Sequence, residues 1–203
     1  MKKENGRIRA VDSILMRASN EQFRETLQAE LTSQIDKQRL FVVVLVGIPG
    51  CGKSTFSLKV VSETNRWARV CQDELKNRQK TINAAIRCLE KGQGEERGLI
   101  VDRCNFNAAQ RKHWIDLARE RGAVPLCVVL PDADNVRVCT ARAVQRGDDG
   151  VHTGEEDWKS IVARMGKQFD VPRLEEGFAG IYWCEERGGG SAEEAHTLLT
   201  TSE

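Results

Sequence analysis

The sequence has no long apolar run. Its longest, Leu40 to Val46, falls far short of the roughly 20 residues a membrane-spanning helix needs. It has no excess of one charge either: 31 Lys and Arg stand against 30 Asp and Glu, for a formal net charge of +1. That balance excludes a strongly basic nucleic-acid coat and an acidic disordered tail. Any nucleic-acid binding has to come from a local patch. The seven cysteines form no CxxC pair and no His/Cys cluster at zinc spacing, which argues against a disulfide scaffold. The opening residues, Met1 to Gly6, lead into no apolar signal core. The expectation is an intracellular protein of a reducing compartment, nucleus or cytoplasm, with no membrane partner.

At 203 residues the chain has room for one domain with short extensions. Ile14, Leu15, Phe23, Leu27, Leu31 and Ile35 recur at helical spacing and predict a helical extension over 1–39. Lys2, Lys3, Arg7, Arg9 and Arg17 make it locally basic. Two readings stand: an amphipathic helix packed on the domain edge, or a phosphate-contacting arm. From residue 40 the pattern changes. Leu40 to Val46 is β-branched and aliphatic throughout, as suits a strand buried on both faces of a parallel sheet. Helices follow over about 53–64, 81–91, 108–121, 133–146 and 155–169. Strands are expected at 69–71, 99–101, 124–130 and 180–183. This alternation predicts an α/β fold, a three-layer sandwich with a mostly parallel sheet, over 40–186. The glycines at 188–190 open a flexible tail over 187–203.

Gly47-Ile48-Pro49-Gly50-Cys51-Gly52-Lys53-Ser54 fits the P-loop pattern GxxxxGK(S/T) in full, between a strand and a helix-compatible segment. Glycines let such a backbone curl so that its N–H groups face phosphate oxygens, and the helix N-terminus adds partial positive charge. The candidate nucleotide-binding residues are Gly47, Pro49, Gly50, Cys51, Gly52, Lys53, Ser54 and Thr55. The Lys53 ammonium can bridge the β- and γ-phosphates, and the Ser54 hydroxyl can hold Mg²⁺. Asp102 ends the apolar string Leu99-Ile100-Val101, so it is the Walker B candidate, a second Mg²⁺ ligand or else a cap for the next helix. ATP and Mg²⁺ are thus the expected cofactors. Cys51, among N–H donors and beside Lys53, is the thiol whose pKa those neighbours could lower.

The loop alone does not choose a reaction. No guanine-reading NKxD string is present, and the chain is short for a motor ATPase. A small kinase needs an acceptor base and an arginine-bearing lid. Asp73, in Val70-Cys71-Gln72-Asp73-Glu74-Leu75, can serve as the base or cap the following helix. Arg142 and Arg146 lie one helical turn apart just before a glycine-bearing turn at 147–150. They can grip ATP phosphates or simply form a solvated face. Arg103, Arg111, Lys112, His113, Arg119 and Arg121 are candidates for a phosphate-tracking surface. Trp114 reads as core, Trp67 as a candidate base-stacking platform. His113 and His152 have no partners at metal spacing.

Taken together, GIPGCGKST, VCQDEL, LIVDRCNFNAAQRKHW, CTARAVQR and FDVPRLEEGF resemble the kinase domain of 5′-polynucleotide kinases of the kinase-phosphatase type. The likeness runs from about residue 41 to 181 and extends to kinase modules fused to aprataxin-like domains. It implies ATP-dependent phosphorylation of 5′-hydroxyl ends of DNA or RNA, making a nucleic-acid end the expected partner. By the same resemblance, Lys53 and Ser54 bind phosphates and Mg²⁺, and Asp73 is the general base. Arg146 is the lid arginine at the transferring phosphate, with Arg142 in support. Asp102 and Asn105 fill the family's Asp-x-x-Asn motif, and PRLEEGF shapes the nucleotide side. The chain departs from the family in carrying Gln72 beside the base where Arg is common, and Arg103 after Asp102. It has no DxDxT phosphatase string. A small-molecule kinase and a non-catalytic ATP-sensing module are the alternatives on this fold.

Overall fold

The computed structural model describes residues 40–63, 66–91, 98–147 and 155–184. The extension expected over 1–39, the tail over 187–203, most of the 147–150 turn and His152 lie outside the described residues. The elements run β1 (Phe41–Val46), α1 (Lys53–Glu63), β2 (Trp67–Cys71), α2 (Gln72–Leu75), α3 (Arg78–Lys91), β3 (Gly98–Asp102), α4 (Ala108–Glu120), β4 (Val124–Val129), α5 (Val136–Arg146), α6 (Glu155–Lys167), a 3₁₀ turn (Leu174–Glu176) and β5 (Gly180–Trp183).

The five strands form one sheet in the order β2-β3-β1-β4-β5, and every pairing is parallel. The expected mostly parallel sheet is therefore wholly parallel among the described residues. β1 sits at its centre, with all of Phe41–Val46 buried. That is why its sequence is continuously apolar rather than alternating. The β1→β2 crossover through α1 runs along the sheet in the opposite direction to the crossovers through α3 and α4. Right-handed connections then place α1 on one face and α3 and α4 on the other. On the latter face Ala85, Leu89, Trp114, Ile115 and Ala118 pack on Val42, Val44, Val46, Leu99 and Val101.

Several boundaries move for local reasons. β2 starts at Trp67 rather than 69, because Trp67 is buried against Phe41 with ring centroids 6.4 Å apart. Trp67 is thus core, not a stacking platform, which corrects the sequence expectation. α3 starts at Arg78, where the Asn77 side chain accepts from the Lys80 N–H. α5 starts at Val136, where Asn135 caps the Val138 N–H; residues 131–134 instead turn, with Asp132 left-handed at φ 57°. The short helix α2 has no counterpart in the sequence reading.

Candidate phosphoryl-transfer site

β1 delivers the chain to the carboxyl edge of the sheet, where parallel α/β folds place their ligands. The loop after it is fastened from two sides. The Gly47 N–H donates to the Cys104 carbonyl at 3.0 Å, and the Ile48 N–H to the Ala133 carbonyl at 2.8 Å. Gly50 is required by close approach, since a Cβ there would run into the Cys139 carbonyl oxygen of α5. Gly52 is required by conformation, at φ 103°. The first turn of α1 then presents its free N–H groups at the mouth of the loop.

Lys53 is buried and folded back over the loop. Its Nζ donates to the carbonyls of Gly47 (2.9 Å) and Ile48 (3.0 Å) and lies 3.5 Å from Cys51 Sγ. Burial pulls its pKa down, but the sulfurs of Cys104 and Cys51 and the Asp102 carboxylate outweigh this, and the net shift is upward. Lys53 therefore stays an ammonium, with the Gly47 and Ile48 carbonyl oxygens as its acceptors. Burial pushes the Cys104 thiol up, with Lys53 opposing. Cys139, behind Gly50, is pushed up to about 12 by burial. Pro49 and Ser54 are half-buried and Thr55 is exposed.

Asp102 ends β3 and pairs in register with Cys71, the last residue of β2. It is buried, and its Oδ2 accepts from Ser57 Oγ (3.0 Å), Arg69 Nε (3.0 Å) and Arg69 Nη2 (2.6 Å). Its Oδ1 takes no hydrogen bond among the described residues. Asp102 does not cap α4; Asn107 does, accepting from the Gln110 N–H. One free carboxylate oxygen and the Ser54 hydroxyl are the hard oxygen donors that fit Mg²⁺.

Asp73 lies two residues past the end of β2, exposed, in the first turn of α2. It does not cap that helix, whose N-cap is Cys71. Its carboxylate acts electrostatically on Cys104, which also feels Lys53, and on Arg103. Residues 47–54, 102 and 73 therefore share one edge. Arg142 and Arg146 ride on α5, both exposed. Arg142 pairs with the buried side chain of Asp132 at 2.9 Å. Arg146 is in the last turn of α5, and no contact among the described residues joins it to the loop.

The basic cluster expected on α4 is largely committed elsewhere, which corrects the idea of a six-residue phosphate track. Arg111 is fully buried, and its Nε and Nη2 grip the two carboxylate oxygens of Glu176 at 2.7 and 2.6 Å. Lys112 pairs with Asp116, Arg121 with Glu90, and Arg119 donates to the Gly177 carbonyl. Arg103 and His113 remain, joined by Arg78 from the start of α3. Burial and then Arg78 lower the Arg103 pKa, against the pull of Asp73. Burial, Arg78 and Arg103 hold His113 below its ordinary 6.5, with Asp116 and Glu120 opposing. Neither Arg78 nor Arg103 has a carboxylate at ion-pair distance among the described residues. Buried Gln72 Oε1 and His113 Nε2 have no hydrogen-bond partner.

Asn105 is structural. Fully buried at φ 44°, its side chain donates to the Leu45 carbonyl (2.9 Å) and accepts from Trp114 Nε1 (3.1 Å). Sequence reasoning missed Ser57, Arg69, Arg78 and Asp132, and saw in Glu74 only a carboxylate to be confused with Asp73. Arg69 carried a signal: an arginine inside the apolar string of a buried strand needs an acidic partner.

A family model described as "AAA domain" matches residues 42–168. The chain belongs to that family. Its domain is a P-loop domain of polynucleotide-kinase-like type. The chain is 33% identical over 141 residues to the bifunctional polynucleotide phosphatase/kinase of Schizosaccharomyces pombe, covering 69% of this chain and 32% of that protein. It is 33% identical over 157 residues to transcription factor bHLH140 of Arabidopsis thaliana, covering 74% of this chain and 16% of that one. The chain thus spans a third or less of these relatives' lengths. Among solved structures, a fungal RNA kinase superposes with a TM-score of 0.64 at 16% identity, covering 79% of this chain and 84% of that one. Chaetomium thermophilum Kti12 in complex with ADP-AlF3 superposes with a TM-score of 0.57 at 12% identity, covering 78% and 96%. These superpositions show a shared α/β fold. No helix among the described residues is long and apolar enough to cross a membrane.

Proposed function

We propose that residues 40–186 form a kinase domain that transfers the γ-phosphoryl group of ATP to the 5′-hydroxyl end of a DNA or RNA strand. One observation carries the choice of acceptor. The exposed carboxylate of Asp73 acts electrostatically on the Arg103 guanidinium, which also feels Arg78, and neither arginine has a carboxylate at ion-pair distance among the described residues. A neutral sugar gives such cations nothing to neutralise. A strand end brings a phosphodiester next to its hydroxyl, and charge-assisted contacts to phosphate are the strong ones. The S. pombe relative, named as a polynucleotide phosphatase/kinase, supports the same reading.

In this mechanism the loop amides and Lys53 hold the triphosphate. Asp73 orients the acceptor hydroxyl and takes its proton as the new P–O bond forms. Lys53 stabilises the charge spread over the γ-phosphoryl oxygens, and ADP leaves. Arg146, with Arg142 beside it on α5, supplies further positive charge when that segment closes on the nucleotide. Ser54 and Asp102 would hold Mg²⁺, which when bound would neutralise phosphate charge.

The test is a panel of labelled-ATP transfer assays on 5′-hydroxyl DNA, 5′-hydroxyl RNA, nucleosides and sugars, with Asp73→Ala as control. Label on a nucleic-acid end that disappears in the variant supports the proposal. Transfer to sugars or nucleosides alone makes this a small-molecule kinase. ATP binding with no transfer to any acceptor makes it a nucleotide sensor.

A further inference from the structure

The side chain that sequence reasoning overlooked, Arg69, divides its N–H groups between the two halves of the site. Nε and Nη2 go to Asp102 Oδ2 at 3.0 and 2.6 Å, on the nucleotide side. Nη1 goes to Glu74 Oε1 at 2.6 Å, on the helix that carries Asp73. Nε also lies 2.9 Å from Ser57 Oγ on α1. The Arg69 side chain is only 9% exposed, and that of Asp102 2%. The guanidinium is thus locked by a buried carboxylate before it reaches Glu74.

The helix it reaches has little else to hold it. α2 is four residues long, buries no side chain and has no side-chain cap. Its last bond runs from the Lys76 N–H to the Gln72 carbonyl at 2.8 Å, and Lys76 ends it left-handed at φ 52°. A one-turn helix is unstable by itself, because ordering its residues costs more than so few hydrogen bonds return. The neighbouring charge at Glu74 is the handle by which the protein body can fix it.

We propose that Arg69 is the positioning residue of the site: one guanidinium, anchored on Asp102, that pins α2 through Glu74 and so fixes Asp73 relative to the bound phosphates. This rests on the reading of Asp73 as the acceptor base. The rigid fork matters as well as the charge, since a lysine presents one point of attachment and cannot span both carboxylates with the same geometry. With three donors directed at Asp102 Oδ2, Oδ1 is the oxygen left for the nucleotide side.

Two readouts test this, one independent of any acceptor. Hydrogen exchange of the amides at 72–76 should speed up in Glu74→Gln and in Arg69→Lys by up to about five-fold, the worth of a half-exposed ion pair. Exchange in β1 and β3 should stay as in the wild type. In kinetics, Glu74→Gln should raise the acceptor KM by a similar factor and lower kcat by no more than that factor, with ATP affinity unchanged. Arg69→Lys should show the same KM rise, with kcat closer to wild type than in Arg69→Gln. Arg69→Gln should add a fall in kcat on the order of 100-fold from misplacement of the reacting groups. The double variant Arg69→Gln/Glu74→Gln should have the acceptor KM of Arg69→Gln alone. Glu74 is exposed, so its variant keeps the test alive if Arg69→Gln fails to fold. Unchanged exchange at 72–76 in both single variants overturns the proposal, as does a kcat loss in Arg69→Gln with acceptor KM unmoved in all three. A wild type that transfers to no acceptor overturns the kinase reading, and exchange at 72–76 then decides the Arg69 anchor by itself.

Discussion

Arg111→Met should destabilise the domain more than any surface change. The guanidinium is fully buried and makes four hydrogen bonds. Two go to Glu176 at 2.7 and 2.6 Å, one to the Asn105 carbonyl at 3.2 Å and one to the Asp170 carbonyl at 2.9 Å. Methionine keeps most of the volume, so little of the loss comes from a cavity. What remains is the Glu176 carboxylate, only 15% exposed, and two carbonyls whose donors have gone. Breaking a buried pair from one side costs about 3–5 kcal/mol. For a domain of this size each kcal/mol lowers the midpoint by about 2–4 °C, so the expected fall is roughly 6–20 °C. Removing the stranded charge should restore part of it: Arg111→Met/Glu176→Gln should be more stable than Arg111→Met alone. Thermal and urea unfolding followed by circular dichroism measure both. An Arg111→Met midpoint within about 2 °C of wild type, or a double variant no better than the single, would refute the reasoning.

Other outcomes follow from the same geometry. Asp73→Asn should lower kcat by about 10²–10⁴-fold while leaving ATP affinity and the melting midpoint unchanged, because Asp73 is exposed; equal losses of ATP binding would count against its role. Gly50→Ala should abolish nucleotide binding in equilibrium titrations, since its Cβ would meet the Cys139 carbonyl and its φ is 92°. His113 is held below 6.5 by burial, Arg78 and Arg103. Its neutral form therefore supports folding fully above about pH 6.5, and that support is lost as pH falls through the lowered value. A phosphate-bearing acceptor would offset both guanidiniums and raise the His113 pKa, so binding below pH 6.5 should take up a proton. Calorimetry in two buffers of different ionisation enthalpy measures that, and zero uptake would contradict it. Cys51, beside Lys53, is buried, so maleimide should leave ATP binding by the native protein intact; rapid inactivation that saturating ATP prevents would contradict that burial.

The sheet was legible because its centre is extreme: β1 is buried on both faces, and only a continuous apolar string satisfies that. The phosphate loop was legible because backbone curvature and close approach at Gly50 and Gly52 leave few residue choices. The helix starts at 78 and 136 were less so. Apolar periodicity marks the packed face of a helix, whereas the start is set by Asn77 and Asn135, single polar residues outside that face. Charged side chains were the least legible. Arg111 reads as surface beside Lys112, yet its partner Glu176 lies 65 positions onward, and nothing local announces it. The same distance hid Arg69, whose partner Asp102 is 33 positions away. Local pattern fixes where a charge sits on its own element; only the packed sheet shows which carboxylate waits opposite.

The most direct test of a shared phosphoryl-transfer edge is single-turnover transfer from γ-labelled ATP to a 5′-hydroxyl oligonucleotide, in the wild type, Lys53→Met and Asp73→Asn, with nucleotide affinity measured alongside. The account predicts label on the wild-type oligonucleotide and none above background in either variant within one wild-type reaction time, with ATP affinity kept in Asp73→Asn and lost in Lys53→Met. Transfer by Asp73→Asn at the wild-type rate would contradict it.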